Sequence, residues 1–361
     1  MTSSKRVLLG MSGGLDSSVA ALLLQEQGYT VIGATFKTWD SISESCTAKN
    51  TGCCNIDSIM EAKQFAEAHG IEHHIFDFRE DFREIVIEDF VNEYTMGRTP
   101  NPCVLCNSTI KWGKMLDMAD QLHCELIATG HYAGIREYDG GYVLVTAADE
   151  LKDQTYFLWM LTSKQLKRTI FPLNGITKEQ IRKLAVDYGF EQLSKKRESQ
   201  EICFIPGNDY RQFIESEYPS LMAKSGPGDI LDSDGNVLGK HKGYIHYTIG
   251  QRKGLGYAAG KPVYVTAIDP TKNTITIGDK DDLLTDTMLV RDYQLNRYPE
   301  VPDEFTADVR IRYNTHRVKA AIKKEGQLLK INFEKKVSAS TPGQSAVFYS
   351  GEECIGGGII V

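Results

Sequence analysis

The sequence of 361 residues has no apolar run that approaches the length of about eighteen residues needed to cross a membrane. At its start, Lys5 and Arg6 are followed only by a short apolar run that ends at Gly10, so we expect no secretory signal. Internal repeats and low-complexity segments are not evident either. These absences argue against membrane and repeat proteins, and they predict a cytoplasmic globular protein with no membrane partner.

Two common nucleotide-binding patterns are missing as well. No lysine follows the N-terminal glycines as a Walker A loop requires, and the dinucleotide pattern Gly-x-Gly-x-x-Gly is absent there. The segment instead holds a glycine-rich stretch between the apolar run Val7-Leu8-Leu9 and an apolar helical face that starts at Val19. This order predicts a strand, a phosphate-binding loop and a helix N-terminus. The predicted loop consists of Gly10, Met11, Ser12, Gly13, Gly14, Leu15, Asp16 and Ser17.

The stretch Ser-Gly-Gly-x-Asp-Ser resembles the PP-loop of the ATP pyrophosphatases, which cleave ATP between its α and β phosphates and transfer AMP to a substrate oxygen. That resemblance implies ATP as a ligand and gives Asp16 the role of a Mg²⁺ partner, since a bare carboxylate would repel the nucleotide. The simpler alternative is a glycine turn capped by Asp16 and Ser17.

The length of the chain bears on the number of domains, and its charge distribution bears on the kind of partner. At 361 residues the chain is too long for one typical core and suggests two or three domains. The net charge is −7, but 307–336 holds nine Lys or Arg against three Asp or Glu, a local balance of +6. A second segment, 164–200, holds nine against four, a balance of +5. Both are compatible with a polyanionic partner, although charges that merely solvate exposed faces explain them more simply.

The pattern of elements predicts the fold class. Strand and helix signals alternate up to about residue 207, with a capping box at Thr177 and Gln180 before one helix. After Cys203 the sequence pattern changes to short segments of alternating apolar and polar residues with frequent glycines. We therefore expect an α/β protein with a parallel-sheet PP-loop domain at 1–207, a small β-rich domain at 208–280 and a β-barrel-like domain at 281–361. Gly130 and His131 follow a buried strand and should lie near the loop, since ligands collect at the carboxyl ends of parallel strands.

Eight cysteines in a reducing compartment are expected to be catalytic, metal-binding or buried rather than disulfide-bonded. Cys103 and Cys106 form a Cys-x-x-Cys on a proline-containing loop ahead of a helix, a position that favours the thiolate. Alone, this pattern is ambiguous among a redox dithiol, a metal site and chance. Cys46, Cys53 and Cys54 match no zinc spacing, and their role is left open.

Six stretches together carry a closer resemblance, which covers about residues 5–361. They are the PP-loop, Gly97-Arg98-Thr99-Pro100-Asn101-Pro102-Cys103-Val104-Leu105-Cys106-Asn107, Ala128-Thr129-Gly130-His131-Tyr132, Lys152-Asp153-Gln154-Thr155-Tyr156, Ile202-Cys203-Phe204-Ile205 and Gly250-Gln251-Arg252-Lys253-Gly254-Leu255. In this order they resemble the bacterial tRNA-specific 2-thiouridylases. These enzymes replace O2 of the wobble uridine of tRNA by sulfur.

The resemblance implies a mechanism and a set of site residues. Uridine O2 is adenylated by ATP, Cys203 carries a persulfide, and Cys106 attacks it to release the sulfur, which leaves a Cys106–Cys203 disulfide. The PP-loop, Phe36 and Gly130 would hold ATP. Asn101, Pro102 and Cys103 would contact the flipped-out target base. The residues implied to contact tRNA are His131, Lys152, Asp153, Gln154, Arg312, Tyr313 and Gln344.

Cys103 is a departure, because some members of the family carry Asp at this position and use it as an acid or base. With three thiols, an alternative mechanism of thiolation is that Cys103, Cys106 and Cys203 bind a [4Fe–4S] cluster that holds a labile sulfur. We treat it as the minority hypothesis.

The family also implies a persulfide sulfur-donor protein and tRNAs for Lys, Glu and Gln as partners. The competing functions are another PP-loop adenylating ligase, in which a small amine attacks the adenylate, and a non-catalytic RNA-binding module. The identity of the donor, the full set of tRNAs and the oligomeric state are not determined by the sequence.

Overall fold

The computed structural model describes residues 4–39, 56–138, 140–196, 202–205, 207 and 209–361. The cysteines at 46, 53 and 54 lie outside the described residues. The chain divides into two compact units, which are described separately. Unit 1 comprises residues 1–86, 103–208 and 351–355, and unit 2 comprises residues 87–102, 209–350 and 356–361. Across the described ranges, no helix combines the length and apolar character needed to cross a bilayer.

The first half of the chain alternates strands and helices, as predicted. Short π-helical turns lie at Arg83–Ile87 and Asn107–Lys114, and a 3₁₀ turn lies at Thr155–Phe157. The elements are β1 (Arg6–Gly10), α1 (Leu15–Glu26), β2 (Thr30–Lys37), α2 (Ile56–Ala68), β3 (Glu72–Asp77), α3 (Arg79–Phe82), α4 (Glu88–Thr95), α5 (Pro102–Cys106), α6 (Met115–Gln121), β4 (Leu126–Thr129), β5 (Gly134–Tyr138), β6 (Gly141–Val145), α7 (Ser163–Lys167), β7 (Thr169–Ile170), α8 (Lys178–Asp187) and α9 (Glu191–Ser194).

Unit 1 is built on a five-stranded parallel sheet with the order β3-β2-β1-β4-β7. The chain leaves β1 for β2 on one side and returns to β4 on the other, so the carboxyl end of β1 is the switch point where ligands of such sheets bind. Val7, Leu8 and Leu9 of β1 are fully buried, and side chains of α1 and α8 share their core.

The capping box predicted at Thr177 and Gln180 is confirmed at the start of α8. The helix then buries Ile181 and Ala185 in the same cluster as Ala21 and Leu24 of α1. Burial of an isoleucine side chain stabilises the fold by about 1.5–3 kcal/mol. The first turn of α8 is thereby held beside the first helix of the chain.

One local prediction was wrong and one element was missed. From the sequence, the cluster Lys152-Asp153-Gln154 is expected to lead into a helix with Phe157, Leu158 and Leu161. Only Thr155–Phe157 forms a 3₁₀ turn there, because the side chain of Asp153 accepts hydrogen bonds from local donors and competes with helical pairing. The hairpin β5–β6 was missed, although Gly140, with a φ of 120°, precedes an alternating segment in the way a hairpin turn does. Residues Glu353 and Cys354 pair with β6.

The second half is β-rich, as predicted. Its 3₁₀ turns are Tyr244–His246 and Lys280–Leu283. The elements are α10 (Tyr210–Glu217), α11 (Pro219–Lys224), β8 (Gly228–Leu231), β9 (Val237–His241), β10 (Tyr264–Asp269), β11 (Thr274–Gly278), β12 (Leu284–Leu295), β13 (Glu304–Arg310), β14 (Val318–Glu325), β15 (Leu328–Ser338), β16 (Ser345–Ser350) and β17 (Glu353–Ile360).

Unit 2 contains two sheets. Strands β8 to β11 form a four-stranded sheet with the order β10-β11-β8-β9. Strands β12 to β17 close into a six-stranded barrel, because β12 pairs with β15 on one side and with β17 on the other. Each of these six strands therefore pairs with a barrel neighbour on both sides. The predicted fold class, a parallel-sheet domain followed by β-rich parts, is confirmed.

Candidate functional site

The glycine-rich loop joins the carboxyl end of β1 to the N-terminus of α1, as predicted. Gly13 has a φ of 67°, a conformation that costs glycine little, and Gly14 is the N-cap residue of α1. The Ser17 hydroxyl donates to the Gly14 carbonyl at 3.1 Å and accepts from the Ser12 amide at 3.3 Å. The Ser12 side chain is exposed. This loop and the helix N-terminus behind it form an anion-binding arrangement.

Two close approaches make glycine necessary around the loop. A Cβ on Gly13 would lie 2.3 Å from the Ser58 carbonyl oxygen of α2. A Cβ on Gly130, just after β4, would lie 3.0 Å from the carbonyl carbon of Asp16 and from the amide nitrogen of Ser17. Gly130 therefore lies directly against the loop, and the predicted adjacency is confirmed.

The carboxylate of Asp16 has two partners that the sequence did not indicate. Lys178 Nζ lies 2.8 Å from each carboxylate oxygen, and the hydroxyl of Tyr132 donates to Oδ1 at 2.8 Å. Lys178 is the first residue of α8, so the capping box marked its place in the helix but not the direction of its side chain. Asp16 offers the oxygen donors that Mg²⁺ prefers, and its role as a Mg²⁺ partner stays a prediction.

The neighbouring strand β2 contacts the loop on its other side. Thr35 Oγ1 donates to the Met11 carbonyl at 2.9 Å and lies 2.9 Å from Nε2 of His73. Burial, with the nearby His74 adding to it, lowers the pKa of His73. Phe36, the predicted adenine contact, is half-buried, and its ring centroid lies 5.4 Å from that of Phe78.

Cys103 and Cys106 lie inside the short helix α5 and not on the loop before it, which corrects the sequence-based placement. Pro102 begins this helix because its fixed φ suits the first helical position. Cys106 is buried and Cys103 is half-buried. Asn107, directly after α5, donates its side-chain amide to the Phe157 carbonyl at 2.9 Å and so anchors this part of the chain.

Cys203 lies on a turn closed by a hydrogen bond from the Ile205 amide to the Ile202 carbonyl at 2.9 Å. Phe204 is almost fully buried and packs against Phe82, with ring centroids 5.6 Å apart. The adjacent Cys203 is half-buried. A well-packed neighbour thus holds the turn in place.

The iron–sulfur alternative requires three cysteine ligands that face one point. Within the described ranges, which include Cys103, Cys106 and Cys203, no group of three His, Cys, Asp or Glu side chains is placed to hold a metal ion. The residues present do not fit the cluster, and this route is not favoured.

The predicted base-contact segment of unit 2 is held by the barrel. Gln344 Nε2 donates to the carbonyls of Thr99 and Pro100 at 2.9 and 3.0 Å, and the Thr99 amide donates to the Pro342 carbonyl at 2.8 Å. Asn101 and Pro102 follow directly in the chain. The Gln344 amide thus fixes the backbone just before the predicted base-contact residues, and a contact of Gln344 with tRNA stays a prediction.

A buried carboxylate supports the same segment. Glu93 of α4 is 8% exposed and accepts from Arg98 Nε at 2.7 Å and from Arg291 Nη2 of β12 at 3.2 Å. The hydrogen bond that Arg98 donates to Glu93 raises the pKa of Arg98. Two arginines compensate one buried carboxylate, so this group is satisfied.

We expect Gln344→Ala to loosen this segment in the absence of any RNA. The lost hydrogen bonds should lower the free energy of unfolding by about 0.5–1.5 kcal/mol each. The midpoint of thermal unfolding should fall accordingly. Gln327→Ala, at an exposed turn residue, is the matched control. An unfolding midpoint equal to that of the control would contradict a supporting role for Gln344.

Three of the predicted tRNA contacts lie near β4. Gln154 exchanges hydrogen bonds with the backbone of Tyr132, at 2.8 and 2.9 Å. Asp153 is 2% exposed, and its carboxylate accepts from the Ala147 amide and the Thr155 hydroxyl. Its burial favours a structural role, and a contact of Asp153 with tRNA stays a prediction. Lys152 is half-exposed.

His131 packs between Thr129 and Trp112. Its Nδ1 lies 2.8 Å from Thr129 Oγ1, and its ring packs near Trp112 with centroids 5.5 Å apart. Burial, with Lys111 adding to it, lowers the pKa of His131 well below its usual value. A contact of His131 with tRNA would therefore be a hydrogen bond and not an ion pair.

Arg312 and Tyr313 follow β13 in unit 2. The Nη2 atom of Arg312 donates to the Thr341 hydroxyl at 2.6 Å, to the Ala339 carbonyl at 3.0 Å and to the Ile249 carbonyl at 3.3 Å. The guanidinium thus joins the segment 339–341 to the backbone at Ile249. The side chains of Arg312 and Tyr313 are each partly exposed, and their contact with tRNA stays a prediction.

Three family models match consecutive parts of the chain. A tRNA methyl transferase HUP domain matches residues 5–207, a tRNA methyl transferase PRC-barrel domain matches 212–279, and an aminomethyltransferase beta-barrel domain matches 285–360. Together they cover most of the sequence.

The curated relatives are similar over their full lengths. The tRNA-specific 2-thiouridylase MnmA of Amoebophilus asiaticus is 48% identical over 98% of this chain and 95% of its own. The enzyme of the same name from Salinibacter ruber is 47% identical over 100% of this chain and 95% of its own. A solved 4-thiouridine synthetase in complex with RNA and ATP is 18% identical, with a TM-score of 0.34 over 61% of this chain and 52% of its own. With close to half its residues shared along its whole length, this chain belongs to the family of tRNA-specific 2-thiouridylases.

Proposed function

We propose that this chain is a tRNA-uridine 2-sulfurtransferase that uses ATP to convert the wobble uridine of tRNA to 2-thiouridine. The observation that carries the proposal is the full-length similarity to enzymes named for this reaction. The loop at β1 supports it, because its glycines, the Ser12 and Ser17 hydroxyls and the α1 N-terminus suit a nucleotide phosphate. Phe36 and Gly130 are the further ATP contacts.

In the first step, O2 of the uridine attacks the α-phosphorus of ATP, and pyrophosphate leaves. The product is an O2-adenylate, in which a poor leaving group has become AMP. Mg²⁺ enters with ATP and would neutralise phosphate charge, with Asp16 as its protein partner. The loop binds and orients the triphosphate, which lowers the barrier because the reacting atoms are held in place.

In the second step, the Cys106 thiolate attacks the Cys203 sulfur of a Cys203 persulfide. The bond between the two cysteine sulfurs forms, the outer sulfur leaves as hydrosulfide, and hydrosulfide adds to C2 of the uridine as AMP leaves. The resulting Cys106–Cys203 disulfide must be reduced by an external thiol before the next turnover. A donor protein reloads Cys203 with sulfur. The base is presented by Asn101, Pro102 and Cys103 after it has flipped out of the stack.

The tRNA contacts His131, Lys152, Asp153, Gln154, Arg312, Tyr313 and Gln344 belong to this proposal, as do the division into domains at 1–207, 208–280 and 281–361 and the cytoplasmic location. The tRNAs for Lys, Glu and Gln are the proposed substrates.

The test is thiolation in vitro with the purified chain, ATP, Mg²⁺, sulfide or a persulfide donor, and transcripts of these tRNAs. We expect 2-thiouridine in digested tRNA and one AMP and one pyrophosphate for each residue formed. AMP production with a small amine, without any thiolated nucleoside, would instead identify another adenylating ligase. RNA binding without ATP turnover would identify a binding module.

A further inference from the structure

The phosphate loop has no lysine of its own, yet lysine side chains reach it from distant parts of unit 1. Lys196 donates to the Gly13 carbonyl at 3.2 Å and also pairs with Glu61, and its side chain is 39% exposed. Lys178 is different, because its side chain is only 9% exposed. A buried ammonium costs several kcal/mol unless a partner compensates it, so this placement needs a reason.

The position of Lys178 is set from two directions. Its backbone amide donates to Asp149 Oδ2 at 3.0 Å, and the capping box of Thr177 and Gln180 fixes the first turn of α8. Its ammonium lies 2.8 Å from both oxygens of Asp16 and 5.7 Å from the centre of the Tyr132 ring. The hydrogen bonds to Asp16 and the Tyr132 ring thus hold the Lys178 ammonium beside the first turn of α1.

The need to neutralise Asp16 does not by itself explain why the Lys178 ammonium is buried here. A carboxylate in the first turn of a helix is already stabilised by the helix dipole, so Asp16 would tolerate that position without a lysine. Beside a polyphosphate, however, the same carboxylate would repel the ligand. The Lys178 ammonium lies 2.8 Å from a residue of the loop, and lysine has three donors to share between a carboxylate and phosphate oxygens.

We propose that Lys178 is the phosphate-binding cation of this site and contacts the β- and γ-phosphates of ATP, as the lysine of a Walker A loop does from within its own loop. The inference rests on the proposed function, since it names a residue that holds the departing pyrophosphate. The lysine comes from 162 positions further along the chain than Asp16, which is why no local pattern contains it.

Nucleotide binding by Lys178→Met tests the assignment. A charge-assisted hydrogen bond accounts for about tenfold to a hundredfold in affinity, so we expect a loss of that size for ATP and for inorganic pyrophosphate. AMP, which lacks both outer phosphates, should bind as it does to the wild type. Lys178→Arg, which keeps the charge, should retain most of the ATP affinity. Lys114→Met breaks another Lys–Asp ion pair of unit 1, at 2.5 Å, and serves as the matched control.

The double variant Asp16→Asn/Lys178→Met separates phosphate binding from simple neutralisation of Asp16. If Lys178 contacts phosphate, the double variant stays weak for ATP and pyrophosphate. Recovery of wild-type ATP affinity in the double variant would overturn the proposal, as would equal losses for ATP and AMP in Lys178→Met. Wild-type ATP affinity in Lys178→Met, with thiolation intact, would overturn the role of Lys178 and leave the function standing. A wild-type chain that binds no ATP would overturn both.

Discussion

Cys106→Ala and Cys203→Ala should each reduce tRNA thiolation by about a thousandfold or more, because the loss of a nucleophile removes a step that no other group replaces. ATP binding should survive in both variants, since neither cysteine belongs to the phosphate loop at 10–17. The proposed roles of Cys106 and Cys203 also predict different protein intermediates in the two variants. With a persulfide donor present, the Cys106→Ala protein should keep the persulfide on Cys203 and have a mass one sulfur atom higher. The Cys203→Ala protein should show no such increase in mass.

The measurements are nucleoside analysis of the tRNA, intact mass of the protein and nucleotide titration. Cys124→Ala is the matched control, since Cys124 is a buried cysteine of unit 1 outside the proposed site. Thiolation by Cys106→Ala at the rate of that control would refute the sulfur-release step. Unchanged thiolation by Cys203→Ala would refute the persulfide position.

The second large effect is expected at Gly130. In Gly130→Ala the new methyl group would lie 3.0 Å from backbone atoms of Asp16 and Ser17, and these atoms cannot rotate away. Overpacking of this kind costs about 1–3 kcal/mol, which corresponds to about tenfold to a hundredfold in the Kd for ATP if the loop must shift. Titration with ATP measures the loss directly.

The control for this effect is Gly175→Ala, because a Cβ at Gly175 meets no atom within 4 Å. Thermal unfolding of both variants separates a local change of the loop from a general loss of stability. Wild-type affinity for ATP in Gly130→Ala would show that the loop tolerates the methyl group and that Gly130 does not shape the nucleotide site.

Features that depend on near neighbours in the chain were predictable. The loop was recognisable because a strand, glycines and a helix start follow one another within a few residues. The capping box of α8 was recognisable for the same reason, since Thr177 and Gln180 lie one turn apart and exchange hydrogen bonds. The β-rich character of the second half followed from its alternation and its turns.

Side-chain hydrogen bonds between distant segments were not predictable, although the sheet order did place Gly130 beside the loop. The supporting amide of Gln344 reaches carbonyls that lie 245 and 244 positions earlier in the chain. The placement of Cys103 and Cys106 inside α5 was also missed, because two nearby prolines suggested a loop although the second of them suits a helix start.

The sequence by itself determined the chemistry of this protein: a phosphate loop without a lysine, the cysteines at 103, 106 and 203, and a string of short patterns shared with one enzyme family. Only the tertiary structure decided which side chains complete the loop. The contacts of Lys178 and Tyr132 with Asp16 exist because α8 packs on α1 and because β4 lies beside β1 in the sheet. The packing of the shared core sets the direction of the side chains at these contacts. Sequence patterns, which relate near neighbours in the chain, do not predict that direction.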